Sequence, residues 1–379
     1  MKKKLFIITF QPYDQKMYPH LYDTLSGLEK EFDINLISND DRGYGLYDIL
    51  AYLWPFDKRT VRKRISDLIQ AVRIYNNRHG AIDSMRRFLI KGDYDGILVV
   101  DHHALNIASK YAPVEKRLFF WSHDIICHDS RYYKSPLIRW MIHQNRESIS
   151  RCSLMIIQDE FRGALLDSII GSHNLEKFYL PVSLKDDLYA LQVSNKNSYR
   201  IPEWPLKLMQ ITACRNRGSH LLLKEAHNDV IIYFQGYVYD NMRDAFNETQ
   251  IKPILLPLTD SFDEMRHNIA GMDIGFVSYI RKDLNERLIS HSSGQMVEFF
   301  RLGIPVLAFG NDVIGKFVES TGTGIYLKNL KKLSESLYQL RDYYPDYSKA
   351  ARNLFLEKFN IDGYLNQLCQ KLHSSLADT

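Results

Sequence analysis

Short apolar runs alternate with longer amphipathic stretches along most of the chain. Runs such as 4–10, 96–101 and 117–121 are apolar on both faces, which is typical of strands buried inside a parallel sheet. The stretch 17–32, which follows the first run, instead places leucines at helical spacing. We therefore predict an α/β protein built on doubly wound parallel sheets.

The best candidate for a domain boundary lies in the middle of the chain. Residues 186–204 are polar and show neither helical nor strand periodicity, and the alternation restarts with the apolar run 206–213. A chain of 379 residues is long enough for two separate cores. The sequence therefore predicts a first Rossmann-like domain over 1–185, a linker over 186–204 and a second Rossmann-like domain over 205–358.

The most informative stretch, residues 290–309, predicts a polar loop, a short helix and a buried strand. Ser292 or Ser293 can cap the helix, because a serine oxygen accepts a hydrogen bond from a first-turn amide. Gly303 suits the left-handed position that ends a helix, and the apolar run 306–309 suits an interior strand.

The start of this helix is a candidate anion site, which we assign to Ser290, Ser293, Gly294, Gln295 and Glu298. Free amides at a helix N-terminus point outward, and the helix dipole favours a negative charge there by about 0.3–1 kcal/mol. Glu298 lies one turn beyond Gly294 on the same face, where its carboxylate could accept both hydroxyls of a ribose. The stretch therefore predicts a site for a nucleotide diphosphate.

Two arginines, Arg215 and Arg217, follow the predicted strand 206–213. The guanidinium group makes paired, charge-assisted hydrogen bonds to phosphate oxygens. We predict that these side chains face the same crevice as the 290–298 loop; the alternative is that both are simply solvated on a turn.

The spacing Glu298-x4-Gly303-x-Pro305-Val306 resembles the nucleotide-sugar signature of retaining GT-B glycosyltransferases of the family 4 group. The resemblance implies two Rossmann-like domains facing across a cleft, with a C-terminal segment, 359–379, that returns to brace the first domain. It also implies that Glu298 holds the donor ribose and that Arg215 and Arg217 neutralise the leaving diphosphate. Where the family has a second Glu, eight residues before the first, this chain has Ser290.

Histidines follow two of the predicted strands of the first domain. His123 comes just after the run 117–121, where open α/β sheets place ligands, and the resemblance implies that it lies beside the donor sugar. A satisfied loop histidine is the alternative. His102 and His103 follow another strand and are candidates for the acceptor side.

Composition and charge narrow the choice of partners. A net charge of +4 does not indicate nucleic acid, and the four widely spaced cysteines indicate reduced thiols in the cytoplasm. Aromatic residues beside a basic cluster within 46–64 favour contact with an anionic membrane surface or a lipid-linked acceptor. A helical excursion with a solvated basic face is the alternative. Asp93 and Asp95 precede a strand as an ordinary acidic turn, so we predict no metal site and no cofactor.

These features together predict a metal-independent glycosyltransferase that uses a nucleotide-diphosphate sugar as donor and a glycan or lipid-linked acceptor. It would work in the cytoplasm or at the inner face of the cell membrane. Retention of configuration and a role in surface polysaccharide synthesis are implied by the resemblance alone. The alternative is a catalytically silent GT-B module that binds nucleotide or glycan and supports a partner enzyme, which Ser290 favours. A third reading, a nucleotide-sugar epimerase, lacks a set of catalytic carboxylates.

Overall fold

The computed structural model describes residues 2–11, 13–15, 18–38, 86–134, 136–249, 251–257, 259, 261–280 and 283–377. The chain forms two compact units. Unit 1 comprises residues 1–180 together with 365–379, and unit 2 comprises residues 181–364.

Unit 1 is built on a parallel sheet of six strands in the order β2-β1-β3-β4-β5-β6. The strands are β1 (Lys3–Thr9), β2 (Phe32–Ile37), β3 (Gly96–Val100), β4 (Arg117–Trp121), β5 (Cys152–Ile157) and β6 (Lys177–Tyr179). Its helices include Pro19–Leu28, Asp101–Tyr111, Pro136–Ser148 and Glu160–Ile170, and residues 86–91 are also helical. β3 is buried at every residue, and β4 and β5 at all but one residue each, because helices cover both faces of such a sheet.

Unit 2 is built on a second parallel sheet of six strands, in the order β12-β11-β10-β7-β8-β9. The strands are β7 (Leu206–Ala213), β8 (Val230–Val238), β9 (Ile254–Leu256), β10 (Ile274–Ser278), β11 (Val306–Phe309) and β12 (Gly324–Leu327). Counted from its own first strand, this is the order 3-2-1-4-5-6 of dinucleotide-binding sheets. Such a sheet reverses its winding between β7 and β10, and ligands bind outside the carboxyl ends of the strands at that point.

Helices flank the second sheet on both sides. Their bounds are Leu188–Asn197, Ser219–Glu225, Arg243–Glu248, Phe262–Ala270, Leu284–Arg287, Gly294–Arg301, Asp312–Ser320, Leu333–Asp342 and Tyr344–Lys358. The prediction of two doubly wound parallel sheets is therefore confirmed.

The predicted loop, helix and strand over 290–309 form as expected. The helix is Gly294–Arg301, and its cap is Ser293, whose Oγ accepts a hydrogen bond from the amide of Met296 at 3.4 Å. Gly303 adopts a φ of 63°, in the left-handed region, and the strand is β11. Local signals were sufficient here, because the cap, the glycine and the apolar run each act within a few residues.

The predicted linker over 186–204 is not irregular, because it contains the helix Leu188–Asn197. Asp187 caps that helix by accepting from the amide of Ala190 at 2.9 Å. Its buried residues are Ala190, Ser194 and Asn197, whereas Leu188 is exposed. Small and polar residues thus form the buried face, which a search for apolar periodicity does not detect.

The C-terminal helix, Asp362–Ala377, packs on unit 1 from Leu365 onward. The His373 ring stacks on Phe32 with centroids 4.3 Å apart. A Cβ built on Gly27 would lie 2.5 Å from Leu365, so the helix Pro19–Leu28 approaches this helix closely.

Two further predictions concern a membrane contact and the acceptor side of the first domain. The segment 46–64, for which we predict a membrane contact, lies outside the described residues. No helix in the described part of the chain is both long and apolar enough to span a membrane. His102 belongs to the core of unit 1, since its side chain is 0% exposed and its Nδ1 lies 2.9 Å from Nδ2 of Asn145. It therefore does not line an open acceptor surface, as the sequence suggested.

Candidate functional site

The N-terminus of the helix Gly294–Arg301 is fastened to the carboxyl end of β7. The pairing of β7 with β8 shifts register between Ile211 and Ala213, and Thr212 takes a φ of 70°, which is rare for a β-branched residue. The side-chain amide of Gln295 donates from Nε2 to the carbonyl oxygen of Ile211 at 2.9 Å. The irregular end of β7 therefore holds the first turn of the helix at the point where the sheet reverses.

The turn that carries the two arginines follows β7 directly and ends at Gly218. Gly218 has a φ of 67°, and a Cβ there would lie 3.0 Å from Oγ of Ser278, so a side chain would strain this approach to the end of β10. The Arg217 guanidinium lies over the ring of Tyr279, 4.3 Å from its centroid. The Tyr279 hydroxyl is 2.9 Å from Oγ of Ser293, the helix cap. Arg217 and the helix N-terminus thus belong to one connected group.

Arg217 retains its positive charge in this position. Burial by itself would lower the pKa of the guanidinium, but the neighbouring Tyr279 hydroxyl and the Glu286 carboxylate raise that pKa above its ordinary value. Contact between a guanidinium and an aromatic face stabilises the cation by about 0.5–2 kcal/mol. The turn therefore presents a fixed positive charge.

Three buried polar atoms in this group have no hydrogen-bond partner among the described residues. They are Nη1 of Arg217, Oε1 of Gln295 and Oε2 of Glu298. Buried polar atoms in folded proteins are nearly always paired, and leaving one unpaired costs about 1–3 kcal/mol. One donor and two acceptors left open together indicate a ligand with an anionic group and with hydroxyl or N–H groups.

Glu298 is more deeply placed than its predicted role suggests. Its side chain is 5% exposed, and its Oε1 accepts a hydrogen bond at 2.5 Å from Arg301, which is 1% exposed. Arg301 also donates from Nη1 to the carbonyl oxygen of Lys185 at 3.3 Å. The pair fixes one carboxylate oxygen of Glu298 and leaves the other open. We did not identify Arg301 from the sequence, although its position three residues after Glu298 is a recognisable helical ion-pair spacing.

Of the other predicted site residues in unit 2, Gly294 and Ser290 lie at the start of the helix, whereas Arg215 is held elsewhere. Gly294 lies at the first helical position, and a Cβ there would meet only Val182, at 3.8 Å, so its backbone is open. Ser290 is buried in the short turn Ser290–Ser292 that precedes the cap. Arg215 instead donates from Nε to the carbonyl oxygen of Asn241, 2.7 Å away, in the turn after β8. The structure therefore joins Arg217, and not Arg215, to the helix N-terminus through Tyr279.

In unit 1, the backbone of the turn at His123 is held by Asp101. The turn follows β4, as predicted, and Asp101 follows the neighbouring strand β3 with a φ of 65°. Oδ1 of Asp101 accepts from the amides of His123 at 2.8 Å and Asp124 at 3.3 Å, and Oδ2 accepts from Gln11 at 3.1 Å. Such backbone strain in a residue other than glycine is found mainly where function requires a fixed geometry.

The other side of the same turn is held by Arg162 and Gln158. The carbonyl oxygen of His123 accepts from Nη2 of Arg162 at 2.7 Å and from Nε2 of Gln158 at 3.2 Å. The His123 ring lies at 4.5 Å from the Trp121 ring, and burial lowers its pKa to about 3. His123 is therefore neutral at physiological pH.

Within the residues that the structure describes, no three His, Cys, Asp or Glu side chains come together as a metal-binding group. The four cysteines are buried and form no disulfide.

The fold is similar to those of several solved structures. HepE of Anabaena, in complex with UDP, has a TM-score of 0.60 and 12% identity, over 98% of this chain and 100% of its own. Sucrose-phosphate synthase of Thermosynechococcus elongatus has a TM-score of 0.63 and 10% identity, over 100% of both chains. WaaG, a glycosyltransferase involved in lipopolysaccharide biosynthesis, has a TM-score of 0.59 and 10% identity, over 96% of this chain and 98% of its own.

These structures share the GT-B architecture, and the two sheets described above place this chain in the same fold class. The chain matches no protein-family model, and no curated protein matches its sequence.

Proposed function

We propose that this protein is a glycosyltransferase that moves a sugar from a nucleotide-diphosphate donor to a glycan or lipid-linked acceptor. One observation carries the proposal. Three buried polar atoms without partners among the described residues lie on the helix Gly294–Arg301 (Gln295 and Glu298) and on Arg217, which Tyr279 connects to the start of that helix.

The diphosphate would bind where the charge and the free amides are. The backbone amides at Gly294 and Gln295 and the guanidinium of Arg217 supply preorganised donors for phosphate oxygens. When the bond between sugar and phosphate breaks, negative charge builds on the diphosphate. Stabilising that charge is the largest catalytic contribution that such a site can make. These donors support a mechanism without a metal ion or cofactor.

The ribose would bind to the open oxygen of Glu298. Two ribose hydroxyls are donors of the kind that Oε2 lacks, and Arg301 holds the carboxylate in one orientation. Ser290 and Ser293 precede the same helix, and we assign them to the donor side. Arg215, on the same turn as Arg217, would assist the diphosphate only after leaving Asn241.

Unit 1 would supply the acceptor side and one contact to the transferred sugar. His123 is neutral, fixed by its backbone and open at both ring nitrogens among the described residues. The aromatic and basic composition of 46–64 supports contact with the inner face of a membrane, where a lipid-linked acceptor would be presented. Retention of configuration and a role in surface polysaccharide synthesis follow from the resemblance to family 4 enzymes.

A catalytically silent module that binds nucleotide or glycan and supports a partner enzyme is the second candidate, favoured by Ser290 at the position of the family's second Glu. Only an enzyme releases the nucleotide from the donor.

The test is a thermal-shift screen against UDP-, GDP-, ADP- and CMP-sugars, followed by measurement of nucleotide release with glycan and membrane-lipid extracts as acceptors. A ligand present at 100 times its Kd stabilises the fold by about 2.7 kcal/mol, which is easily measured. Binding with no release supports the silent module. If no nucleotide sugar changes the melting temperature, the glycosyltransferase is wrong, and so is a silent module that binds nucleotide.

A further inference from the structure

A second histidine lies against His123 in unit 1. His20 is on the first turn of the helix Pro19–Leu28, and its ring centroid is 4.8 Å from that of His123. The helix follows β1, and His123 follows β4, with only β3 between these strands. Both imidazoles therefore lie at the carboxyl edge of the first sheet, next to the point where its winding reverses between β1 and β3.

The imidazole rings of His20 and His123 are neutral and can still form hydrogen bonds. Burial lowers the pKa of His20 well below its ordinary value, and the neighbouring His123 lowers it further. A neutral imidazole has one donor and one acceptor nitrogen. Such a pair suits hydroxyl groups, which both donate and accept, whereas phosphate is better bound by cations such as Arg217.

The surrounding residues fix the backbone of His123 and leave its ring available. Asp101 binds the backbone amide, and Arg162 and Gln158 bind the carbonyl oxygen. Both ring nitrogens, Nδ1 and Nε2, are buried and have no hydrogen-bond partner in the part of the chain that the structure describes. A histidine with only a structural role would use at least one of these nitrogens within the protein.

We propose that His20 and His123 form a two-imidazole subsite that binds hydroxyl groups of a sugar ring, and that His20 contacts the substrate directly. The inference rests on the proposed function and extends it, because it adds a binding residue on the first turn of the helix after β1. The sugar is either the one carried by the donor or one belonging to the acceptor.

The experiment compares wild type with His20→Phe and His20→Gln. Phenylalanine retains a ring against His123 and removes both nitrogens, whereas glutamine restores one donor and one acceptor. His143→Gln, on the exposed side of the helix Pro136–Ser148, is the matched control. Melting temperatures are recorded first, so that affinities are compared only among folded proteins.

Calorimetry then measures the affinities for the nucleoside diphosphate and the nucleotide sugar that the thermal-shift screen selects from the UDP, GDP, ADP and CMP series. Saturation-transfer NMR measures the binding of methyl glucoside and methyl mannoside to the nucleotide-loaded protein. If the subsite binds the donor sugar, His20→Phe weakens the binding of the nucleotide sugar about three- to tenfold and leaves the affinity for the free nucleotide unchanged. If it binds an acceptor sugar, only the methyl glycoside signal falls. In either case His20→Gln recovers part of the loss.

Two negative results have different meanings. Wild type that binds nucleotide and sugar, with no change in His20→Phe, overturns the role of His20 and leaves the proposed function standing. Wild type that binds none of these nucleotides or nucleotide sugars contradicts the proposed function, and this inference falls with it.

Discussion

Replacing Glu298 with glutamine tests the ribose contact while preserving the fold. Alanine would be a poor choice, because it leaves Arg301 buried without its partner, which costs about 3–5 kcal/mol. Typical domains are stable by only about 5–15 kcal/mol, so the alanine variant would lose affinity through unfolding alone. Glutamine has the same shape, and its amide oxygen can still accept from Arg301, so the guanidinium keeps a hydrogen-bond partner although it loses the opposite charge. The cost in stability should therefore be smaller than for alanine.

The expected loss of affinity follows from the change of charge at Oε2. A hydrogen bond to a charged acceptor contributes about 1.5–3 kcal/mol, against about 0.5–1.5 kcal/mol for a neutral one. We therefore expect Glu298→Gln to weaken the binding of the nucleoside diphosphate by about 1–2 kcal/mol, which is roughly 5- to 30-fold in Kd; UDP stands below for whichever nucleoside diphosphate the thermal-shift screen selects. The double variant Glu298→Met with Arg301→Met removes both charges. It should stay close to wild type in stability and still lose the ribose contact.

The assay is calorimetry with UDP and with 2′,3′-dideoxy-UDP, which lacks both ribose hydroxyls. Wild type should bind the dideoxy nucleotide more weakly than UDP, whereas Glu298→Gln should discriminate little between them. This comparison isolates the contact from any general effect on the site. If Glu298→Gln and wild type discriminate equally between the two nucleotides, Glu298 does not hold the ribose and serves only its ion pair with Arg301.

Three further predictions concern other residues. Gly294→Val should fold with a nearly unchanged melting temperature, because a Cβ there meets only Val182, at an ordinary contact distance of 3.8 Å. It should weaken the binding of UDP about tenfold or more in calorimetry by covering the helix amides, and unchanged binding would contradict the anion site. Arg217→Ala should weaken UDP by about 1.5–3 kcal/mol and uridine hardly at all, and an equal loss for both ligands in the same titrations would show a structural role. For His102, burial lowers the pKa to about 4, so the folded state favours the neutral ring; this stabilisation is complete above the unfolded pKa near 6.5 and is lost as pH falls toward 4. In urea unfolding, this residue should therefore make the free energy of unfolding about 2 kcal/mol lower at pH 5 than at pH 7. The His102→Gln variant should lack that loss, and the control His143→Gln should retain it. If the free energy of unfolding depends equally on pH in wild type and His102→Gln, the assignment is wrong.

The short-range features of the candidate site could be predicted from the sequence. Ser293, Gly303 and β11 are set by the cap, the left-handed glycine and the apolar run, all of which act within a few residues. The position of His123 after a buried strand was predictable for the same reason.

The contacts that assemble the site were not predictable, because they join residues distant in sequence. Arg215 and Arg217 are equivalent in the sequence, and only the approach of Gly218 to β10 brings one of them over Tyr279. The partner of Gln295 is a carbonyl freed by the irregular end of β7, which no residue type signals.

The helix Leu188–Asn197 was missed for a different physical reason. Asn197 donates to the carbonyl oxygen of Leu302 at 2.9 Å, and Ser194 lies against Gly303. Close approach of two backbones therefore helps to determine where this helix packs, together with the burial of the small side chain of Ala190. A hydrophobicity pattern contains no information about such an interface.

The return of the C-terminal helix to the first unit bears on the order of synthesis. A ribosome completes all of unit 2, residues 181–364, before it makes residues 365–377, which unit 1 requires against Gly27 and Phe32. Domains ordinarily fold in the order in which they emerge. Here the earlier domain stays incomplete until translation has passed the later one, so a chain released after residue 364 contains every element of unit 2 but lacks the segment that packs on Gly27 and Phe32 of unit 1.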